Sequence, residues 1–335
     1  MQHDAITVNV TRGGIVESRH TLHAAIVASD GTRLDTWGDV ATPVYPRSAI
    51  KAMQALPMIE SGAAAHFGFN QAEIALCCAS HTGEPEHVST VQHMLEKIGF
   101  QEQHLACGCH WPTYPQAAYQ LSAQQRKPDQ RHNNCSGKHA GMLAHAAMLK
   151  VSPEGYVGIN HPIQQRIAQA MSEMCEVDYS QCAWSPDGCS APTWAIPLDH
   201  LGLAFAKFAD PSALAADRQL ACKTLFDAVV KHPFMVAGTG RYCTDMMRLL
   251  GDKVFLKVGA EGVYVAAIPE LKLAIALKCV DGATRAAESV MTALLDRVGI
   301  TRDISDAQMA PYRQVPIKNW QTLHTGNLEC QLPDA

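Results

Sequence analysis

The chain has 335 residues, of which 47% are hydrophobic and 18% are charged, and its net charge at pH 7 is −5. This composition is typical of a soluble globular protein and excludes a disordered chain, while the small negative charge leaves no electrostatic footprint for nucleic acid or an anionic membrane. The start, MQHDAITVNV, lacks the features of a signal peptide, and no apolar run approaches the roughly 18 residues of a membrane span. We therefore expect a cytoplasmic protein that binds neither nucleic acid nor membrane.

Strand patterns occupy the two ends of the chain. The first 45 residues alternate between apolar and polar side chains, and the turn signals RGG and SDGT divide them into three predicted short strands. Near the other end, KVFLKVGAEGVYVAAIPELKLAIALKC predicts further strands with glycine at the turns. A last helix is predicted over 283–299, capped in front by Asp281.

Helical signals dominate the region between the strands. Ile163, Ile167 and Met171 recur at helical spacing after His161-Pro162, for example. The predicted helices are 48–61, 71–79, 85–98, 137–149, 161–175, 213–231 and 242–251.

This order of elements favours one α+β domain over 1–335, because strands at both ends can share a single, mainly antiparallel sheet with helices packed around it. Its predicted parts are N-terminal strands 1–45, a helical part 46–250, C-terminal strands and helix 251–300, and a tail 301–335.

The stretch YPRSAIKAMQALP places Ser48 three residues before Lys51, at the predicted start of the first helix. At this spacing the two side chains share one face, so a lysine amine can take the serine proton while N–H groups at the helix start hold an oxyanion. The same residues also suit an ordinary N-cap and helix surface, and one Ser-x-x-Lys pair is close to chance expectation. The spacing alone therefore leaves both interpretations open.

Two further stretches concentrate polar side chains at predicted helix ends. CCASHTGEPEH places Ser80 and His81 before a glycine turn, and HNNCSGKHAGML places Cys135, Lys138 and His139 before a helix without forming a Walker A loop. Both patterns are also compatible with plain helix termination or capping.

Cysteine motifs raise the question of a metal. The chain has 12 cysteines and no CxxC pair, so most of them are expected to be reduced and buried. The turn SPDGCSAP carries Cys189, which can share a metal with Cys135 if the two loops meet; by general ligand chemistry, His139 suits such a site better than Lys138. CGCHWP is a further candidate metal loop of mainly structural character, and KVGAEGV brings Lys257 and Glu261 to a predicted strand end.

Taken together, the motifs resemble the rhizobial-type (class 3) L-asparaginases from about residue 5 to about residue 300. The stretches that carry the resemblance, in chain order, are PRSAIKAMQALP, SHTGEPEH, CGCHWP, HNNCSGKHAGML, PDGCSAP, VAGTGRYCTDMM and KVGAEGV. The resemblance implies a serine β-lactamase-like fold, a homodimer, and hydrolysis of the side-chain amide of L-asparagine to L-aspartate and ammonia. Residues 301–335 match no recognisable pattern.

The resemblance also implies roles for individual residues. It implies two serine–lysine pairs formed by Ser48, Lys51, Ser80 and Lys257. It implies a metal site, expected to hold Zn²⁺, at Cys135, Lys138 and Cys189, with Asp187 as a neighbouring partner. Arg47 and His81 are expected to border the nucleophile pocket, so that Arg47, His81 and Asp187 are candidate substrate-binding residues.

Several alternatives stay open at this point. Ser48 activated by Lys51, or Ser80 itself, can serve as the nucleophile, and we expect the metal to position the substrate without generating hydroxide. A penicillin-recognising or esterase-like serine acyl enzyme is suggested by Ser-x-x-Lys and by Lys257-Val-Gly259, although no Ser-x-Asn loop accompanies them. A non-catalytic metal-binding protein is the third interpretation.

Overall fold

The computed structural model of the chain describes residues 1–333. Within them the strands are β1 (Gln2–His3), β2 (Ile6–Arg12), β3 (Ile15–Ala28), β4 (Arg33–Trp37), β5 (Pro43–Val44), β6 (Trp184–Pro186), β7 (Pro192–Trp194), β8 (Ile196–Pro197), β9 (Phe255–Gly259), β10 (Val263–Ile268), β11 (Leu273–Cys279), β12 (Val315–Lys318) and β13 (His324–Gln331).

The helices of the same residues are α1 (Lys51–Glu60), α2 (Ala63–His66), α3 (Gln71–Cys77), α4 (Pro85–Lys97), α5 (Pro115–Ala123), α6 (Ser136–Leu149), α7 (Pro162–Cys175), α8 (Leu198–Ala209), α9 (Ala216–Lys231), α10 (Pro233–Ala237), α11 (Tyr242–Leu250), α12 (Thr284–Arg297) and α13 (Asp306–Arg313). None of these helices is both long enough and apolar enough to cross a membrane.

Most predicted helices are present, and their ends follow local chemistry. Before α3, for instance, Asn70 and Glu73 bond to each other's backbone N–H in a capping box. The first predicted helix, 48–61, is corrected: a 3₁₀ turn covers Arg47–Ile50, where Arg47 has φ of 51°, and the α-helix begins only at Lys51. The cap expected from Asp281 is also corrected, because Ala283 is the N-cap of α12 and Asp281 accepts the Ala283 N–H.

The chain divides into two compact units. The sheet unit comprises Met1–Ala49, Ile196–Asp210 and the chain from Leu256 onward, and the helical unit comprises Ile50–Ala195 and Pro211–Phe255. The single domain over 1–335 stays a prediction.

The sheet unit contains a nine-stranded sheet in the order β12-β13-β2-β3-β11-β10-β9, with β4 also paired to β3 and β1 paired to β4. Strands β12, β13, β2, β3, β11 and β10 pair with one another in antiparallel fashion, as do β3 and β4, whereas β1 and β4 are parallel. Helices α8 and α12 pack on this sheet, and Gly202 of α8 lies so close to Val27 that an added Cβ would be 2.8 Å from its Cγ2. The predicted α+β class, with a mainly antiparallel sheet built from both chain ends, is confirmed.

The tail has a defined place in this sheet. Strand β13 pairs with β2, with Leu328 opposite Val10, and β12 pairs with β13 at the sheet edge. The tail 301–335 matched no recognisable pattern in the sequence, yet its described part, 301–333, supplies two strands and α13.

Helix α6 is buried over most of its length: every residue from Ser136 to Ala146 is buried. It packs against α1, α3 and α4. Two glycines permit this approach: a Cβ on Gly137 would lie 2.3 Å from the Leu76 carbonyl oxygen, and one on Gly141 would lie 2.9 Å from the Cys77 sulfur. The start of α6 is therefore held directly against the end of α3.

Candidate active site

A buried lysine and serine meet in the helical unit. Lys51, the first residue of α1, is 1% exposed; its Nζ lies 2.8 Å from Ser80 Oγ and donates a hydrogen bond to the Ala79 carbonyl at 2.5 Å. Both partners lie in the loop after α3. The structure thus brings together two of the predicted catalytic residues.

Backbone contacts position Ser80. Its own N–H donates to the Val236 carbonyl at 2.8 Å, and the next N–H, of His81, donates to the Asn134 carbonyl at 3.2 Å. The serine loop is consequently tied to α10 on one side and to the segment before α6 on the other.

His81 braces the same loop. Its Nδ1 accepts the Gly83 N–H at 3.1 Å, so the proton resides on Nε2, which lies 2.9 Å from Ser136 Oγ; that hydroxyl donates to the Arg131 carbonyl. Burial, and then the neighbouring His87, hold the His81 pKa well below its usual value. The ring is neutral and structurally engaged, and its expected contact with substrate stays a prediction.

A second cluster joins Cys135, Lys138 and Cys189. Cys135 precedes α6, Lys138 lies in its first turn, and Lys138 Nζ is 2.9 Å from Cys189 Sγ. Cys189 sits in a tight turn in which Asp187 accepts the Gly188 N–H and donates its own N–H to the Ala191 carbonyl. All three cluster side chains are buried.

The charges of this cluster are complementary. A hydrogen bond from Cys135 lowers the pKa of Cys189 far below its usual value. Burial raises that pKa, and the Lys138 ammonium lowers it again. Burial disfavours the ammonium, but Cys189 and Cys135 raise the Lys138 pKa above its usual value, with a smaller contribution from Asp187. Both pKa shifts favour a thiolate at Cys189 and an ammonium at Lys138.

The donor set fits zinc. Two sulfur atoms and one amine nitrogen in a buried pocket match the soft and borderline ligands that Zn²⁺ prefers, and a metal would displace the protons of Cys135 and Lys138. The neighbouring His139 donates to or accepts from the Tyr156 hydroxyl through Nδ1 at 2.6 Å. Its Nε2 is near Cys189 but makes no regular hydrogen bond within the described chain. Lys138, and not only His139, therefore accompanies the sulfur atoms.

The lysine–serine pair and the cysteine cluster are neighbours within the helical unit. The Lys51 charge contributes to the Cys135 pKa, and the loops that carry them share the His81–Asn134 backbone bond. One continuous site of the helical unit thus holds Lys51, Ser80 and the three candidate ligands.

The remaining predicted residues belong to the sheet unit. Arg47 and Ser48 lie in the 3₁₀ turn, and Lys257 is fully buried on β9, donating to the Val258 carbonyl at 2.9 Å. The turn and the strand are adjacent, since a Cβ on Gly259 would lie 2.5 Å from the Pro46 carbonyl oxygen. Only glycine fits there, which explains the glycine of the Lys-x-Gly motif. The pairings Ser48–Lys51 and Ser80–Lys257 stay predictions.

Sequence reasoning missed Glu84. This buried carboxylate accepts hydrogen bonds from the Thr82 hydroxyl at 2.6 Å, the Thr239 N–H at 2.9 Å and the Thr239 hydroxyl at 2.8 Å. It joins the serine loop to the loop after α10, where Gly238 (φ 98°) leaves no room for a Cβ beside Thr82. No motif of the sequence signals this contact, because Glu84 and Thr239 are 155 positions apart.

The sequence model of one protein family, described as L-asparaginase II, matches residues 8–330. This confirms the resemblance indicated by the motifs and extends it through the tail. Among solved structures, the chain is similar to a β-lactamase from Mycobacterium bovis, with 16% identity, coverage of 87% of this chain and 95% of that chain, and a TM-score of 0.39. That score is too low to support any statement about the site. No curated protein sequence matches the chain significantly.

Proposed function

The chain belongs to the L-asparaginase II family, and from this premise we propose that it hydrolyses the side-chain amide of L-asparagine through a serine–lysine nucleophile beside a zinc site. The family makes it an amidohydrolase. The observation that supports the mechanism is the buried 2.8 Å contact between Lys51 Nζ and Ser80 Oγ.

In the proposed reaction, Lys51 acts as a neutral amine. It donates to the Ala79 carbonyl and accepts the Ser80 hydroxyl proton while Oγ attacks the carboxamide carbon. The resulting Lys51 ammonium returns that proton to the leaving nitrogen, the C–N bond breaks, and ammonia departs. Water then attacks the acyl ester, giving L-aspartate and restoring the serine. Ser48 is the alternative nucleophile, and the experiment below separates the two.

The cysteine cluster supports the zinc part of the proposal. Cys135, Lys138 and Cys189 would hold the ion, which when bound supplies a fixed positive charge that orients the substrate. Asp187 orders the turn that presents Cys189, and Asn133 Oδ1 accepts the Cys135 N–H at 2.8 Å. These residues therefore fix the ligand loops independently of the ion. A homodimer, a cytoplasmic location and the absence of nucleic-acid binding complete the proposal and rest on the resemblance and composition.

The test is ammonia release from L-asparagine by wild type and by the variants Ser80→Ala, Lys51→Met and Ser48→Ala. Ser89→Ala, on the exposed side of α4, is the matched control. We expect loss of at least about 100-fold in kcat for Ser80→Ala and Lys51→Met and no change for the control. Retained activity in Ser80→Ala with loss in Ser48→Ala would move the nucleophile to Ser48. No release by wild type, together with labelling by a β-lactam, would replace the asparaginase mechanism with a penicillin-recognising one.

A further inference from the structure

A second cluster of metal-ligating side chains lies in the sheet unit. His20 is on β3, Cys279 ends β11, and Asp281 is in the turn before α12. Their nitrogen, sulfur and oxygen atoms all lie within 4.8 Å of one another. The Asp281 carboxylate is 2.6 Å from His20 Nδ1 and accepts the Cys279 thiol at 3.0 Å.

Sheet pairing creates this convergence. Leu22 of β3 lies opposite Cys279, and the Val280 N–H donates to the Thr21 carbonyl at 2.8 Å, so the β11 end is fixed beside β3. Gly262 packs on Cys279 from the preceding hairpin, where a Cβ would lie 2.6 Å from the cysteine Cβ. The three donors are thus held by backbone contacts as well as by their mutual hydrogen bonds.

We propose that His20, Cys279 and Asp281 form a second metal site of the chain, for Zn²⁺ or a similar borderline divalent cation. One imidazole, one thiolate and one carboxylate are ligands that Zn²⁺ combines readily, whereas the sulfur disfavours Mg²⁺ and Ca²⁺. Zinc ligands at about 2.0–2.3 Å from the ion stand roughly 3.3–3.8 Å apart in a tetrahedron. The donors need to separate by only about 1 Å to reach that spacing.

The metal would replace two protons. In the metal-free cluster, Nδ1 of His20 and the thiol of Cys279 each direct a hydrogen at the Asp281 carboxylate. Displacing both hydrogens frees a nitrogen and a sulfur atom beside a carboxylate oxygen, all within 4.8 Å of one another. Asp281 is exposed, which gives an ion access and leaves a coordination position to water.

Arg285 disfavours metal binding to His20, and its substitution therefore tests the proposed site. Its Nε donates to His20 Nε2 at 3.2 Å, which requires the proton on Nδ1. Once a metal occupies Nδ1, Nε2 carries the proton and can no longer accept from arginine, so the exposed guanidinium must turn into solvent. Lys278 adds a second positive charge beside Cys279, partly balanced by Glu261, whose carboxylate lies against Gly282.

The experiment is a Co²⁺ titration of the full chain carrying Cys135→Ser and Cys189→Ser, followed by thiolate-to-cobalt charge-transfer absorption. It is independent of amidase activity, so its failure leaves the proposed function untouched. We expect one equivalent of Co²⁺ to bind with thiolate absorption. Adding Cys279→Ser should remove this absorption, and the matched control Cys330→Ser, on β13, should keep it.

If Cys279→Ser fails to fold, two variants of exposed residues still test the proposal. Asp281→Asn should weaken binding about 10–100-fold, while Arg285→Gln should tighten it several-fold, because glutamine oxygen can accept the Nε2 proton. Absence of thiolate absorption in the double variant, absorption that persists in folded Cys279→Ser, or Co²⁺ affinity unchanged in both surface variants would each overturn the proposal and leave the cluster as a hydrogen-bonded brace.

Discussion

The two cysteine clusters of this chain both contain a buried thiol, but their surroundings shift the pKa of that thiol in opposite directions. In the helical unit, Cys189 has a hydrogen-bonding thiol and an ammonium beside it, and its pKa lies far below the usual range. In the sheet unit, Cys279 has a carboxylate as its partner, and burial with that carboxylate raises its pKa to about 11. Burial acts in the same direction on both thiols, so the partners decide the difference: a hydrogen-bond donor and a cation lower the pKa of Cys189, whereas an anionic hydrogen-bond acceptor raises that of Cys279.

Lys138→Met removes the cation beside Cys189, and we expect it to lower the stability of the protein more than the other substitutions do. The substitution leaves the buried Cys189 charge without its cation, which costs about 3–5 kcal/mol unless the sulfur regains a proton. We expect a markedly lower Tm in the metal-free protein and reduced zinc retention. Lys223→Met is the matched control, since the Lys223 side chain is 72% exposed and its ammonium pairs with Asp227 on the surface of α9. Equal Tm values for the two variants would show that the cluster carries no paired charge.

Glu84→Gln extends the comparison to an anion held by neutral donors. Burial disfavours the Glu84 carboxylate, but hydrogen bonds from Thr239 and Thr82 bring its pKa below the usual value. An amide cannot accept all three bonds, so we expect a loss of about 1–3 kcal/mol in unfolding free energy and a lower kcat, because the Ser80 loop loses its tie to Thr239. Glu86→Gln, exposed on α4, is the control and should change neither quantity. An unchanged kcat in the destabilised variant would confine Glu84 to a purely structural role.

Asp281→Asn tests the carboxylate beside Cys279 in the sheet unit, and we expect it to change the Tm less than the other substitutions do. Hydrogen bonds from Cys279 and His20 lower the Asp281 pKa in the folded protein. A lowered carboxyl pKa stabilises the fold above the unfolded value of about 4, and that stabilisation is lost as the pH falls through the folded value. Thermal unfolding between about pH 6 and pH 3 should therefore show a smaller acid-induced decrease of Tm in Asp281→Asn than in wild type. Parallel curves would contradict the hydrogen-bonded role of this carboxylate.

The sequence predicts elements well where local signals mark both ends. Helix α7 follows the prediction closely because His161 accepts the Ile163 N–H and Pro162 occupies the first helical position. Helix α8 is absent from the predicted helices, and all its residues except His200 and Lys207 are buried. Strand β12 gave no clear strand pattern because it is short and contains Pro316.

The candidate site shows the same division between local and long-range information. Cys135 and Lys138 lie one turn apart, and their spacing is visible in the sequence. Their meeting with Cys189 spans 51 positions from Lys138 and comes from folding alone. The Glu84–Thr239 contact spans 155 positions and leaves no motif that one sequence can reveal. The family resemblance named Ser80 and Lys51 within a set of four residues without giving this contact, which lies within the helical unit.

Gly137 fixes the distance between the start of α6 and the end of α3. Because α6 touches the Leu76 carbonyl at that position, backbone and not side chains determines how far the cysteine–lysine cluster stands from the serine loop. A methyl group at Gly137 would push the start of α6 away from the end of α3 and so separate the cysteine–lysine cluster from the serine loop. This glycine is therefore a position that protein engineering should leave unchanged.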